Sequence, residues 1–441
     1  MRSPALLATV SVVFLVACGA RSSLRDLDAA SGGGNGSGAA GGGPSLLCSK
    51  LVALEPLVEL PVRTGATAAR DPLLQLLFKG FVVALVRSEM STATDKLPGA
   101  IDAFRLEPWS TWPPTTPPVV HVSDSVADAS FFSSVEFMGP GTFDVIMKQF
   151  SAIEANGCSF TALYGVLPEA TLSGNAVVSD IMTGQVPCGD VLLSVATTGG
   201  GALFFAVDTM LANSGPSSHT VNAQFIGTSP DGAPVLEPAC ASTHFVADVL
   251  TNPAGFHFVH SASGACGTSG AGLASQLVLH RIKGGSDESS VVYKGVDDLV
   301  YARLLPRQGG NWLLFRESGA SAWQQPPGMA LQLGSDGTLG APFPVTDPGT
   351  DRMAAASFGD GFVVAFVDSL DPSAPRIIVR VYSSQGTLSA QTSFSTSDAW
   401  LNGDRLTLTP SPDATSFLVG WTGNGPNPAM FVRRFDCASP R

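Results

Sequence analysis

Short runs of β-branched and aromatic residues recur along the chain: GFVVALVRS (80–88), DVLLSVATT (190–198), GFHFVHSAS (255–263), NWLLFRES (311–318), GFVVAFVDS (361–369) and SFLVGWTG (416–423). Their length and their Gly, Asp, Ser and Pro boundaries predict strands. They alternate little between apolar and polar positions, as strands buried on both faces do. Aligned on Phe81, Val191, Phe256, Asn311, Phe362 and Phe417, the runs lie 110, 65, 55, 51 and 55 residues apart. The first step is twice 55, which predicts one hidden unit between them.

Aspartates give a second register. Asp298, Asp351 and Asp404 are spaced by 53 residues, and Asp71 and Asp180 stand ten and eleven residues before Phe81 and Val191. The clearest unit reads MAAASF, a Gly/Asp turn, FVVAFVDS, a loop, RIIVRVYS, a Gly turn at SSQGT and LSAQTSFS. Four strands in a repeat of roughly 50 residues is the signature of a β-propeller blade. The expected fold is therefore an all-β propeller, with seven four-stranded blades as the first count and six or eight as alternatives. The hidden unit is expected to use ASFFSSVEF (129–137) as a strand. FDVIMKQFSAIEANG (143–157) follows it, with Phe143, Ile146, Met147, Phe150 and Ile153 on one helical stripe and an Asn-Gly stop, which predicts an inserted helix.

The two ends of the repeat region fit together. The last unit stops after a third strand, PAMFVRRFDC (428–437), and SLLCSKLVAL (45–54) is available as its fourth, which would close the ring and remove exposed edges. Cys48 and Cys437 would then face each other across the seam. The same map places Cys240 with Cys266 on one face and Cys158 with Cys188 on the other, predicting three disulfides: Cys48–Cys437, Cys158–Cys188 and Cys240–Cys266.

The seventh cysteine, Cys18, ends an apolar run of about a dozen residues that follows Arg2. This run is shorter than the ~20 residues of a spanning helix and reads as a secretory signal. Leu15-Val16-Ala17-Cys18 resembles the bacterial lipoprotein lipobox, and the resemblance implies a thioether-linked lipid on Cys18; the competing reading is ordinary cleavage after Gly19 or Ala20. Gly19 at the next position resembles lipoproteins sorted to the outer membrane. Residues 18–44 are Gly/Ser-rich, a flexible tether of about 30 Å reach. The expected organisation is thus signal peptide 1–17, lipidated linker 18–44 and propeller 45–441, with membrane attachment through lipid alone.

Composition narrows the partners. The net charge of −12 argues against nucleic acid and anionic lipid surfaces. With 14% charged residues, 48 Gly and 32 Pro, the chain suits short strands and tight turns rather than helices.

Candidate chemistry is sparse. If Asp71, Asp180, Asp298, Asp351 and Asp404 enter the innermost strands, they form a broken ring of carboxylates at the channel mouth, able to hold Ca²⁺ through hard oxygen ligands; the competing reading makes each a turn residue. His257 and His260 in GFHFVH, with His244 and His280 near in sequence, raise zinc, but positions i and i+3 of a strand face opposite ways. Ser335-Asp336-Gly337-Thr338-Leu339 resembles part of the Asp box of sialidase-type propellers, compressed and without its Trp, so it reads as a hairpin turn and supports no sialidase assignment. No nucleophile elbow or Walker loop is present. EPWSTWPPTTPPVVH (107–121) carries Trp109 and Trp112, either a patch for a protein or carbohydrate ligand or rings packed over the edge of the second blade.

A propeller frame does not name a function. With no catalytic constellation in view, the first expectation is a non-enzymatic binding or scaffolding role in the cell envelope, similar in architecture to the propeller lipoprotein of the outer-membrane barrel-assembly machinery. The alternative is a secreted polysaccharide hydrolase or lyase using channel-mouth carboxylates, which calls for two carboxyls ~5–9 Å apart in an aromatic-walled cleft.

Overall fold

The computed structural model describes residues 48–76, 80–90, 99–114, 120–123, 130–139, 142–154, 157–168, 177–186, 194–198, 201–210, 218–227, 246–252, 255–263, 275–283, 286–297, 299–319, 325–368, 375–396, 406–423 and 427–438. All fall within one compact unit, residues 41–441. Cys18 and the signal and tether residues lie outside the described residues.

The recurring apolar runs form strands of antiparallel sheets, each sheet a meander of consecutive strands. Two short strands come first, β1 (Lys50–Ala53) and β2 (Val58–Pro61). The first sheet follows as β3 (Ala66–Leu76), β4 (Val82–Met90), β5 (Gly99–Leu106) and β6 (Val120–Ser123). The second is β7 (Ser130–Gly139), β8 (Thr142–Glu154), β9 (Gly157–Pro168) and β10 (Val177–Val186), and the third β11 (Ser194–Thr198), β12 (Gly201–Met210) and β13 (Ser218–Gly227). The fourth is β14 (Ala247–Asn252), β15 (Gly255–Ser263), β16 (Ser275–Lys283) and β17 (Ser286–Lys294); the fifth β18 (Leu299–Arg307), β19 (Gly310–Glu317), β20 (Met329–Gly334) and β21 (Phe343–Pro344). The sixth is β22 (Thr350–Phe358), β23 (Gly361–Asp368), β24 (Arg376–Tyr382) and β25 (Leu388–Ser395). The last contains β26 (Thr407–Pro410), β27 (Ser416–Gly423) and β28 (Ala429–Ala438), and both β1 and β2 pair with β28.

Two expectations are corrected here. Residues 143–154 are strand β8, not a helix, and pair along their length with β7 and β9. The pairing shifts register between Phe150 and Ala152, and a bulge of this kind breaks period-2 alternation into the 3–4 spacing that mimics a helical stripe. The hidden unit is therefore β8 itself. Residues 194–198 of DVLLSVATT form a first strand, β11, and the second strand of that sheet is GALFFAVDTM. Second strands then begin at 82, 142, 201, 255, 310, 361 and 416, a more even spacing than the sequence register gave.

The sheets stack through apolar side chains. Val363, Val379, Phe417, Val419 and Trp421 share one cluster between the sixth and last sheets, and Trp312, Leu314, Phe362 and Phe366 share another between the fifth and sixth. A third joins Leu418, Met430 and Val432 of the last sheet to Val82, Ala84, Val86 and Phe104 of the first. Sandwiched this way, β23 and β27 are buried almost throughout, which is why they read as unbroken apolar runs. The outer strand β25 alternates instead. The first strands β3, β7, β11, β14, β18, β22 and β26 each touch the next, and β26 touches β3. The result is a propeller-like all-β fold.

Tight turns set the register of each meander. Gly359, at φ 57°, turns β22 into β23. A Cβ on Gly361 would stand 1.9 Å from the Tyr382 carbonyl oxygen, and one on Gly310 2.0 Å from that of Leu333. The same close approach at the same point of two sheets requires glycine twice.

Cys48, buried, is bonded to Cys437 beside the pairing of Leu51 with Cys437. Cys158 pairs across to Val186, while Cys188, Cys240 and Cys266 lie outside the described residues, so those two predicted bridges have no described geometry.

Candidate functional site

The three landmark aspartates among the described residues do not share one strand position. Asp71 lies on β3, where pairing shifts register between Arg70 and Leu73, and Asp351 on β22, at a like shift between Thr350 and Met353. These two occupy equivalent places on first strands. Asp180 does not: it lies on β10, the fourth strand of its sheet, again at a register shift, which follows from the displaced reading of the third unit. Asp298 and Asp404 lie outside the described residues.

The carboxylate best placed between first strands was passed over. Asp248 on β14 is buried; its Oδ2 accepts the Leu304 N–H at 2.6 Å and its Oδ1 accepts Nη1 of Arg303 at 3.2 Å, both from β18. Tyr301 lies two positions from Arg303, its hydroxyl pushed up in pKa by burial, with Arg303 opposing and Asp248 adding to the shift. Asp248 thus ties neighbouring first strands together. Its signal in the sequence was an acid inside an apolar run, Ala247-Asp248-Val249-Leu250. Among the described residues, no three His, Cys, Asp or Glu side chains gather as a metal site.

Among the described residues, His257, His260 and His280 are absorbed by packing, and His244 lies outside them. His260 Nε2 lies 3.1 Å from His280 Nε2, and His260 Nδ1 lies 3.1 Å from the Ser261 carbonyl. A carbonyl only accepts, so Nδ1 carries the proton, leaving Nε2 to accept from His280. His257 meets Asn311 at 2.8 Å on the other side of the strand, and burial, with Arg281 nearby, holds its pKa low.

A cleft opens where the last sheet meets the first. In a meander, the first-to-second and third-to-fourth connections lie at the same end of the sheet. Three such connections converge here: Gly80 and Phe81 before β4, Glu107, Trp109 and Ser110 after β5, and the Ser411–Ser416 turn between β26 and β27, joined by Arg434 of β28. The cleft encloses about 570 Å³.

Local chemistry makes its walls rigid. Asp413 Oδ1 accepts Ser411 Oγ at 2.6 Å, Thr415 Oγ1 at 2.9 Å and the Thr415 N–H at 3.1 Å, while the Ser416 N–H donates to Ser411 Oγ at 3.0 Å. Partial burial pushes the Asp413 carboxyl up, but these hydrogen bonds outweigh it and hold the group below the usual carboxylate range. Asp336 accepts the Thr338 N–H and hydroxyl in the same way, with Gly337 at φ 91°, so SDGTL is the hairpin turn its sequence predicted. Arg434 donates to the carbonyls of Pro108 and Trp109 and through Nε to Asp436 at 2.7 Å, and its guanidinium lies 5.8 Å from the Trp109 ring centre. Arg105 covers Phe81 at 3.6 Å.

Trp109 and Trp112 are both half-buried against the cluster shared by the last and first sheets, while the side chains of the second sheet lie outside the described residues. Trp112 Nε1 donates to the Pro56 carbonyl at 2.9 Å. Trp109 Nε1 is buried without a partner, and Trp109 Cδ1, its ring neighbour, faces Gly80 across the cleft. Trp112 is thus a packing residue and Trp109 a wall of the cleft.

No protein-family model and no curated protein matches this sequence. Among solved structures, an α-L-arabinanase of Penicillium chrysogenum complexed with arabinobiose is similar at 12% identity and a TM-score of 0.45, over 88% of this chain and 99% of that one. The NanB sialidase of Streptococcus pneumoniae is similar at 10% identity and 0.43, over 86% and 70%. An acylaminoacyl peptidase of Pyrococcus horikoshii is similar at 11% identity and 0.48, over 85% of this chain and 53% of that one.

Proposed function

We propose that the chain is a closed, seven-bladed β-propeller that binds a ligand at the cleft between its last and first blades without transforming it, and that it is exported and held in the bacterial envelope by a lipid on Cys18. The continuous cycle of touching first strands and the apolar cluster joining the last sheet to the first support closure at seven. Pairing of β1 and β2 with β28 gives the seam. The tether and signal rest on the sequence, and Cys18→Ser tests them: the account expects the protein to leave the membrane fraction, and retention there would refute lipidation.

The observation that carries the binding reading is the set of three hydrogen bonds that Asp413 accepts on Oδ1. Glycoside hydrolysis needs one carboxyl that holds its proton near neutral pH. Asp413 is held in the opposite direction by three donated hydrogen bonds, and Glu107 stands with its side chain 63% exposed. Such a cleft can orient a ligand, and Asp413 is not the raised carboxyl that acid catalysis calls for.

Polysaccharide hydrolysis remains the second reading because Glu107 and Asp413 do line one cleft beside Trp109. Prolonged incubation with polysaccharides at pH 5 to 8, followed by chromatography of the soluble products, separates the two. Binding alone leaves the polymers intact; new oligosaccharides abolished by Glu107→Gln would establish hydrolysis.

A further inference from the structure

From the groups that the cleft leaves available, and resting on the binding reading above, we infer that its ligand is a neutral saccharide. A volume of about 570 Å³ falls in the ~300–1,000 Å³ range of small-molecule sites. The question is which charge type and which hydrogen-bonding pattern fit inside it.

A cationic ligand meets guanidinium groups where it would seek aromatic faces. Arg105 stands over Phe81 and Arg434 over Trp109, so the cation–π positions on both rings are occupied from within the chain. An anionic ligand meets the carboxylates of Glu107 and Asp413, in a chain of net charge −12. The one guanidinium lining the cleft, that of Arg434, already donates to two carbonyls and to Asp436. Glu107 in turn lies 3.8 Å from Arg105 Nη2 and Asp413 is held by its three turn hydrogen bonds, so a ligand of either sign meets lining charges that already have partners within the chain.

What remains is suited to hydroxyl groups. Asp413 takes its three hydrogen bonds on Oδ1, and its other oxygen and the exposed carboxylate of Glu107 are acceptors of the kind that hold O–H donors through charge-assisted bonds. The indole N–H of Trp109, on a ring that lines the cleft, is a buried donor with no partner in the chain, and a small movement of the wall is needed before a ligand oxygen can satisfy it. Phe81 and Trp109 contribute apolar carbon to the lining beside these polar groups. Acceptors, one orphan donor and aromatic wall together match a polyhydroxylated ring carrying no charge.

Isothermal titration of the full chain with size-matched trisaccharides tests this: neutral ones built from glucose, xylose, arabinose and mannose, an acidic one from galacturonic acid and a basic one from glucosamine. The inference expects at least one neutral trisaccharide to bind and to exceed both charged ones at least tenfold. Glu107→Gln, which keeps side-chain volume, should weaken it about five- to tenfold with an unchanged melting temperature, and Trp109→Phe, which keeps an aromatic wall without the N–H, should weaken it by a similar factor. Preferred binding of a charged trisaccharide, neutral binding indifferent to both variants, or no neutral binding at millimolar concentration would each overturn the saccharide assignment and leave the binding reading standing. Cleavage of a bound trisaccharide would overturn the non-enzymatic reading and leave the assignment of ligand class intact.

Discussion

Replacing both Cys48 and Cys437 by alanine probes the seam quantitatively. The bond joins residues 389 apart, so it closes nearly the whole described chain into one loop. By the chain-entropy relation, a loop of that length removes about 6 kcal/mol of conformational freedom from the unfolded state. The native seam keeps other contacts in the variant: β1 and β2 still pair with β28, and Leu51 stays in the core cluster with Phe417 and Phe435. The loss should therefore come mainly through the unfolded chain, about 3–6 kcal/mol, with a steeper urea dependence because the opened chain exposes more surface. Urea unfolding followed by tryptophan fluorescence reads both quantities. A variant within about 1 kcal/mol of oxidised wild type, at the same steepness, would refute the loop argument.

Four further outcomes are expected. Gly361→Ala places a methyl against the Tyr382 carbonyl and should cost about 3 kcal/mol in urea unfolding; a neutral result would mean that the turn relaxes freely. Asp102 is fully buried and accepts from Ser88 Oγ at 3.0 Å and the Arg63 N–H at 3.2 Å, so Asp102→Ala should cost about 3 kcal/mol, with Asp102→Asn recovering part of it. The folded-state pKa of Asp413 is depressed, so its contribution is complete above the unfolded carboxylate pKa and is lost as pH falls through the lower folded value. Asp413→Asn should accordingly flatten the fall in melting temperature at acid pH, and an unchanged profile would count against the turn bonds. Chelation should leave the melting temperature unmoved, since Asp180 is displaced from the first strands; a rise of several degrees on adding Ca²⁺ would restore a carboxylate metal site.

Legibility in the sequence followed local chemistry. The sixth sheet could be read strand by strand because glycine punctuates it, at Gly359 between β22 and β23 and at Gly386 before β25. The second sheet could not, because the bulge at Phe150 and Ala152 resets alternation within β8; Asp180 was misplaced for another reason, the reading of the first strand β11 as a second strand. The seam was legible because an unfinished last unit and a spare N-terminal strand complement each other. Half the cleft was legible in the biased Trp109 segment. Its other half, the Ser411–Ser416 turn, lies some three hundred residues away, and only the meeting of last and first sheets brings the two together.

Closure of the ring by the N-terminal strands is the central claim, and hydrogen exchange across β28 tests it most directly. Paired with β27 on one side and with β1 and β2 on the other, β28 should exchange as slowly as the central strand β23, with matching protection at residues 50–53 and 58–61. Exchange in β28 as fast as in the outer strand β25 would mean that the N-terminal strands do not cover it, and would contradict the closed ring.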